Sequence, residues 1–298
     1  MKFKSVFRNA RRFYLLIVLL FIFSVTPFAL SGCGGSSSSS PSSPTTSGNV
    51  WLANNGNGTA GTASGDSNVT ELSSSGALIG TYAAGSGSDG IAIDSSGNVW
   101  VTNWGNGTAG TASGDSNVTE LSSSGALIGT YAAGSGPDAI AIDSSGNVWV
   151  ANEHSGNVTE LSSSGALIGT YAAGTYPFAI AIDSSGNVWV VNVGNGTAGT
   201  ATGDSNVTEL SSSGALIGTY AAGTYPYGIA IDSSGNVWVV NEGNGTAGTA
   251  TGDSNVMEFD SYGSLINIYS AGSYPENIAI ELSGNNGEYF PYKGPEWP

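Results

Sequence analysis

The chain has 298 residues, 46 of them glycine, and carries 22 acidic residues against six Lys and Arg, with only 9% of positions charged. Five of the six bases lie within the first twelve residues, so Lys293 is the one base beyond them and no arginine remains there. Phosphate recognition leans on Arg and Lys, so no nucleic acid partner is expected, and the single cysteine, Cys33, excludes a fold stapled by disulfides.

The first segment is not part of a fold. Lys2, Lys4, Arg8, Arg11 and Arg12 precede an apolar stretch that begins at Phe13, which reads as a secretory signal peptide over residues 1–32. Residues 13–30 are just long enough to span a bilayer, but Pro27 and the small residues before Cys33 suit cleavage better than an uncleaved anchor. Leu30, Ser31, Gly32 and Cys33 resemble the bacterial lipobox. That resemblance implies acylation of Cys33 and a membrane contact through a lipid anchor. The expected location is the bacterial cell envelope, at the outer membrane or cell surface. Residues 33–47 (CGGSSSSSPSSPTTS) cannot bury a core and read as a flexible tether.

Residues 48–298 form one repeat domain. Trp51, Trp100, Trp149, Trp189 and Trp238 each close a GNVW string, and SNVTELSSSGALIGTYAAG recurs nearly verbatim between them. A period of about 40–50 residues made of short strands and turns indicates a radial or stacked β array. In the second unit Ile91 to Ile93 predicts a first strand, buried on both faces. Asp94 to Asn98 is a tight turn in which the Asp side chain can bond the backbone. Val99 to Thr102 is a β-branched and aromatic second strand. Asn117 to Leu121 alternates and suits a more solvated third strand. Ala126 to Tyr131 makes a fourth. The repeated Asp and Glu of these elements are assigned a structural or solvated role, and the repeated Trp an inter-blade core role.

PYGIAIDSSGNVWVVN, from Pro226 to Asn241, resembles the NHL-type repeat, and the Trp after Gly-Asn-Val is similar to repeats of the virginiamycin B (streptogramin) lyases. The resemblance implies an all-β β-propeller of four-stranded antiparallel blades. Counting each strand type predicts five blades. The chain starts at a second strand and ends at a first, so residues 277–281 are expected to close the N-terminal blade. The tail from Gly284 to Tyr292 echoes a further GNVWV strand and leaves a six-bladed variant open.

Positions that differ among near-identical repeats are not dictated by packing. One set follows the second strand: Asn55, Trp104, Glu153, Val193 and Glu242. The other precedes the first strand: Asp89, Asp138, Tyr176 with Phe178, Tyr225 with Tyr227, and Tyr274 with Glu276. In a four-stranded antiparallel blade both sets lie at one end, which the resemblance implies is the ligand face. Carboxylates and aromatics together suit neutral glycans, cationic groups or basic peptides. The bland reading is that Tyr-Pro fills a turn and the acids keep the face soluble.

In four units a long loop, GNGTAGTASGDSN or its Thr variant, places Asp66, Asp115, Asp204 and Asp253 beside Asn, an oxygen-rich set that could hold calcium. Its spacing matches neither the EF-hand nor the nine-residue calcium repeat. The only histidine, His154, adjoins Glu153 in the unit whose loop is nine residues shorter. A lyase-like site would need His154 as base together with a metal and further partners. Glu153 with Glu242 could supply the carboxylate pair of a glycosidase. No Ser-His-Asp or Cys nucleophile set is present, and catalysis is disfavoured. The expected protein is a monomeric envelope lipoprotein whose propeller binds a protein or neutral glycan without catalysis. The alternatives are a streptogramin lyase-like enzyme centred on His154 and Glu153, and a structural surface spacer without a small-molecule ligand.

Overall fold

The computed structural model describes residues 48–56, 67–105, 116–194, 205–243 and 254–280. The expected signal peptide, the expected tether with Cys33, and the four loop aspartates Asp66, Asp115, Asp204 and Asp253 lie outside the described residues. Among the described residues no helix is long and apolar enough to cross a membrane.

Every described element is a strand, and the strands form five antiparallel blades of a β-propeller. Blade 1 holds β1 (Val50–Asn54), β2 (Asn68–Leu72) and β3 (Leu78–Ala83). Blade 2 holds β4 (Ser88–Ile93), β5 (Val99–Asn103), β6 (Asn117–Leu121) and β7 (Leu127–Ala132). Blade 3 holds β8 (Pro137–Ile142), β9 (Val148–Asn152), β10 (Asn157–Leu161) and β11 (Leu167–Ala172). Blade 4 holds β12 (Pro177–Ile182), β13 (Val188–Asn192), β14 (Asn206–Leu210) and β15 (Leu216–Ala221). Blade 5 holds β16 (Pro226–Ile231), β17 (Val237–Asn241), β18 (Asn255–Phe259) and β19 (Leu265–Ser270). Each blade is a simple meander with strands paired in chain order.

The core follows from the period of two along a strand. In β13, Val188 and Val190 point back to blade 3 and pack with Trp149, Val158 and Tyr171. Trp189 and Val191 point forward and pack with Val237, Val239 and Phe259 of blade 5. The same contact joins blades 1 and 2, and blades 2 and 3. Each blade is thus apolar on both faces, and each Trp is the forward knob. Trp149 stacks on Tyr171 of its own blade with centroids 5.6 Å apart, and its Nε1 donates to Asp143 Oδ2 at 3.1 Å. Asp143 Oδ1 accepts from the backbone N–H of Ser145 and Asn147, so one carboxylate fixes both the turn and the Trp.

Two expectations are corrected. The third strand is not the solvated one: β6 is buried throughout, while Leu127 and Ile128 of β7 are 65% and 50% exposed. The alternating polar residues of NVTEL are satisfied inside the blade. Glu120 Oε2 accepts from the Tyr131 hydroxyl at 2.7 Å and Oε1 from Asn98 Nδ2 at 3.1 Å. Buried polar groups are tolerated when paired in this way. The second correction concerns closure. Blade 1 has three strands, and residues 277–280, the described part of the expected closing strand, lie in no strand. That segment lies beside β16, where Glu276 O is 2.7 Å from a Cβ built on Gly228. It continues the row of inner strands and does not pair with β1.

The Tyr–Glu pairs make an alkaline prediction. Burial, then the hydrogen bond to Glu120 or Glu160 and the charge of that carboxylate, push Tyr131 and Tyr171 up to about 12. Tyr82 and Tyr220 are raised in the same sense. Between the unfolded value of about 10 and the folded value the native state keeps protons that the unfolded state has lost. Stability held by these hydroxyls is therefore complete below about pH 10 and falls as pH rises toward about 12. Urea midpoints measured across that range should drop, and Tyr131→Phe with Tyr171→Phe should flatten the drop. An unchanged slope in the double variant would refute the linkage.

Candidate functional site

The two variable sets do meet at one end of the blades. The backbone N–H of Trp104 donates to Gly87 O and that of Gly105 to Ser86 O. The same two-bond clasp joins Glu153 to Gly136 and His154 to Ser135, Val193 to Tyr176, and Glu242 to Tyr225. Each second strand therefore delivers its next residue directly against the residue that precedes the first strand of the same blade.

At blades 2 to 4 these positions form a continuous shelf. Trp104 Nε1 donates to Glu153 Oε2 at 3.0 Å across the blade boundary. His154 Nε2 lies 3.7 Å from the same oxygen, with 35% of its side chain exposed. The Trp104 and His154 rings meet edge to face at 4.9 Å, and the His154 and Tyr176 rings at 6.4 Å. Gly136 packs close against them: a Cβ there would lie 3.2 Å from both His154 Nδ1 and Trp104 Nε1, a tight contact. Glu153, His154, Ser155, Gly156, Gly174, Thr175 and Tyr176 line a cavity of about 300 Å³. It lies at the short turn of blade 3, in which Gly156 N–H donates to Asn152 O and Gly156 O accepts from Ala173 N–H.

A second aromatic group adjoins on blades 4 and 5. Phe178 and Tyr227 meet edge to face at 4.8 Å, and Tyr225 stacks on Tyr227 at 6.4 Å. Tyr274 is 53% exposed at the end of the row. Glu276 is half-buried next to β16. Glu242 is 1% exposed, so its carboxylate is enclosed. Asp138 is likewise buried at 6%. Among the described residues no group of three or more His, Cys, Asp or Glu could hold a metal ion.

One property of the shelf was not visible in the sequence. Tyr176, Tyr225 and Tyr274 have φ of 56°, 50° and 54°, where Gly87 and Gly136 stand at 63° in blades 2 and 3. A left-handed backbone costs a residue with a Cβ about 1–2 kcal/mol. Three tyrosines occupy a position that glycine fills without strain, and such strain is characteristic of ligand-contacting sites.

A family model described as a β-propeller repeat, SBBP, matches residues 214–246, which run from the last turn of blade 4 through β17. The chain carries a β-propeller repeat. Among curated proteins none matches the sequence. Three solved structures share the architecture. A streptogramin B lyase is 17% identical with a TM-score of 0.54, over 70% of this chain and 65% of its own. Virginiamycin B lyase from Staphylococcus aureus is 15% identical with a TM-score of 0.54, over 77% of each chain. Hydrazine synthase from Kuenenia stuttgartiensis is 14% identical with a TM-score of 0.54, over 65% of this chain and 57% of its own. The chain thus spans slightly less than two thirds of the streptogramin B lyase. At these identities the likeness concerns the fold.

Proposed function

We propose that this is an exported envelope lipoprotein, anchored through Cys33, whose propeller is a non-catalytic binding module for a neutral glycan. The observation that carries the reading is the shelf itself: Trp104, His154 and Tyr176 arranged around the Glu153 carboxylate above an open cavity. Aromatic faces cover the apolar faces of sugar rings, and a carboxylate accepts from hydroxyls. The scarcity of bases after residue 12 argues against an anionic ligand. Three tyrosines held in the left-handed region support a role beyond filling a turn.

The test is thermal unfolding of the full chain with cello-, chito- and malto-oligosaccharides. A ligand that binds only the native state raises Tm by mass action. Tyr176→Gly relieves the backbone and removes the ring, so its own Tm should hold or rise while the ligand shift disappears. His154→Ala should reduce the shift. Absence of a shift in the wild type, or a full shift in both variants, would sink the proposal.

A second reading is lyase-like catalysis, favoured by the 3.7 Å contact of His154 with Glu153 and by the structural likeness to streptogramin lyases. One solved relative is a catalytically inactive virginiamycin B lyase with quinupristin. Incubation with quinupristin separates the readings. Conversion of quinupristin that disappears with His154→Ala would favour the lyase.

A further inference from the structure

Blades 2 to 5 are close copies, yet they enter their first strands differently. Blades 2 and 3 use Gly87-Ser88-Asp89 and Gly136-Pro137-Asp138, whereas blades 4 and 5 use Tyr176-Pro177-Phe178 and Tyr225-Pro226-Tyr227. The fold accepts glycine and aspartate at these positions, so packing does not call for an aromatic ring at either. The rings are concentrated on two neighbouring blades, at the end that carries the shelf.

Each aromatic entry contains a β-bulge. The ladder of β12 with β13 shifts between Pro177 and Ala179, and that of β16 with β17 between Pro226 and Gly228. Phe178 and Tyr227 are the residues taken out of register, and a bulge re-aims the side chain it releases. The two rings meet edge to face at 4.8 Å across the boundary between blades 4 and 5. Tyr225 lies parallel to Tyr227 within 12°, at 6.4 Å. That boundary is filled by Trp189, Val191, Val237 and Val239 with Ala179 and Ile229. Phe178, Tyr225 and Tyr227 stand outside this cluster, and all three are half-buried. They are anchored rings that keep part of their surface in solvent.

The entry of blade 4 joins this group to the shelf. Tyr176 meets His154 at 6.4 Å on one side, and Phe178, two residues on, meets Tyr227 on the other. The aromatic side chains therefore run from Trp104 on blade 2 to Tyr225 on blade 5, with blade 4 supplying a residue to each group. One sugar ring covers one such group. Two groups on successive blades match a ligand that repeats its apolar face, as a chain of sugar units does. Among the described residues there is no Lys or Arg, so an anionic chain would find no counter-charge.

We propose that the shelf and the group formed by Phe178, Tyr225 and Tyr227 are two subsites of one track, and that the ligand is a neutral glycan chain long enough to occupy both. The inference rests on the binding-module reading above and adds chain length to it. The shelf holds one stretch of the chain between Trp104, His154 and Tyr176, with Glu153 accepting from hydroxyls. The second group holds a later stretch, and the hydroxyls of Tyr225 and Tyr227 give it polar contacts beside the ring faces.

The test is calorimetric titration of the full chain with the disaccharide, tetrasaccharide and hexasaccharide of the cello, chito and malto series. In a series that binds, affinity should rise by on the order of tenfold from disaccharide to hexasaccharide, the gain expected of one further aromatic subsite. Tyr225→Gly installs the residue that blades 2 and 3 carry and relieves a backbone with φ of 50°, so its unfolding midpoint should hold. Tyr225→Gly and Phe178→Ala should each reduce the gain with length and leave disaccharide affinity unchanged. His154→Ala should weaken every length. A series that binds equally at all lengths overturns the track and leaves the binding-module reading standing. A length gain that survives both variants also overturns it. So does a disaccharide weakened by the two variants as much as the hexasaccharide, because the two groups would then be a single site. No binding in any series removes the track together with the reading it rests on.

Discussion

Gly165→Ala should destabilise the protein by about 2–5 kcal/mol, one of the largest losses available to a single methyl group here. Gly165 has φ of +77°, so any Cβ meets the left-handed cost of about 1–2 kcal/mol. The new atom would also stand 1.9 Å from Cε1 of Tyr131, and the ring would have to leave its place. Tyr131 cannot move freely, because it stacks on Trp100 at 5.3 Å and donates to Glu120 at 2.7 Å. Overpacking of that kind adds about 1–3 kcal/mol. Gly186→Ala is the internal control. Its φ is +85°, but its Cβ would meet only Ser212 Cβ at 3.4 Å, so it should lose the backbone share alone. Urea denaturation of the two variants reads the difference. Equal losses would mean that the tyrosine does not lock neighbouring blades together.

Trp149→Ala should cost about 3–5 kcal/mol, as expected for removal of a fully enclosed indole. The side chain fills the boundary between blades 3 and 4 against Val188, Val190 and Leu210. Its loss also removes the stack on Tyr171 and leaves Asp143 Oδ2 without the indole donor. Trp149→Phe keeps a ring over Tyr171 but not the N–H, so it should lose roughly 1–2 kcal/mol, mostly through the hydrogen bond. A loss below about 1 kcal/mol for Trp149→Ala would show that the blade boundary is not the core.

These two residues also show how much of the fold could be read in advance. The Trp spacing marks the blades, because the second strand must place one large side chain at the same depth in every unit. The Asp turn before it was legible from Asp94 to Asn98, although its bond to the Trp indole was not. The third strand was misread because alternation of Val and Glu looks like alternation of core and solvent. In a propeller both faces of that strand are covered, and Glu120 survives there through Tyr131 and Asn98. Closure escaped sequence reading for a different reason. Residues 277–280 carry the inner-strand pattern, but pattern alone does not say whether the segment forms a ladder with β1, and residues 277–280 lie in no strand. The shelf was legible only as variable positions. That Trp104 reaches Glu153 on the next blade, and that Tyr176 takes a glycine-like backbone, depends on how neighbouring blades are placed, which no local pattern records.

The most direct test of the binding-module account is equilibrium titration of the full chain with the oligosaccharide that gives the largest thermal shift, followed by mass analysis of the recovered ligand. The expected result is saturable binding, lost or strongly weakened in Tyr176→Gly and His154→Ala, with the ligand recovered at its original mass. Ligand consumed by the wild type and spared by His154→Ala would contradict the account and make the shelf an active site.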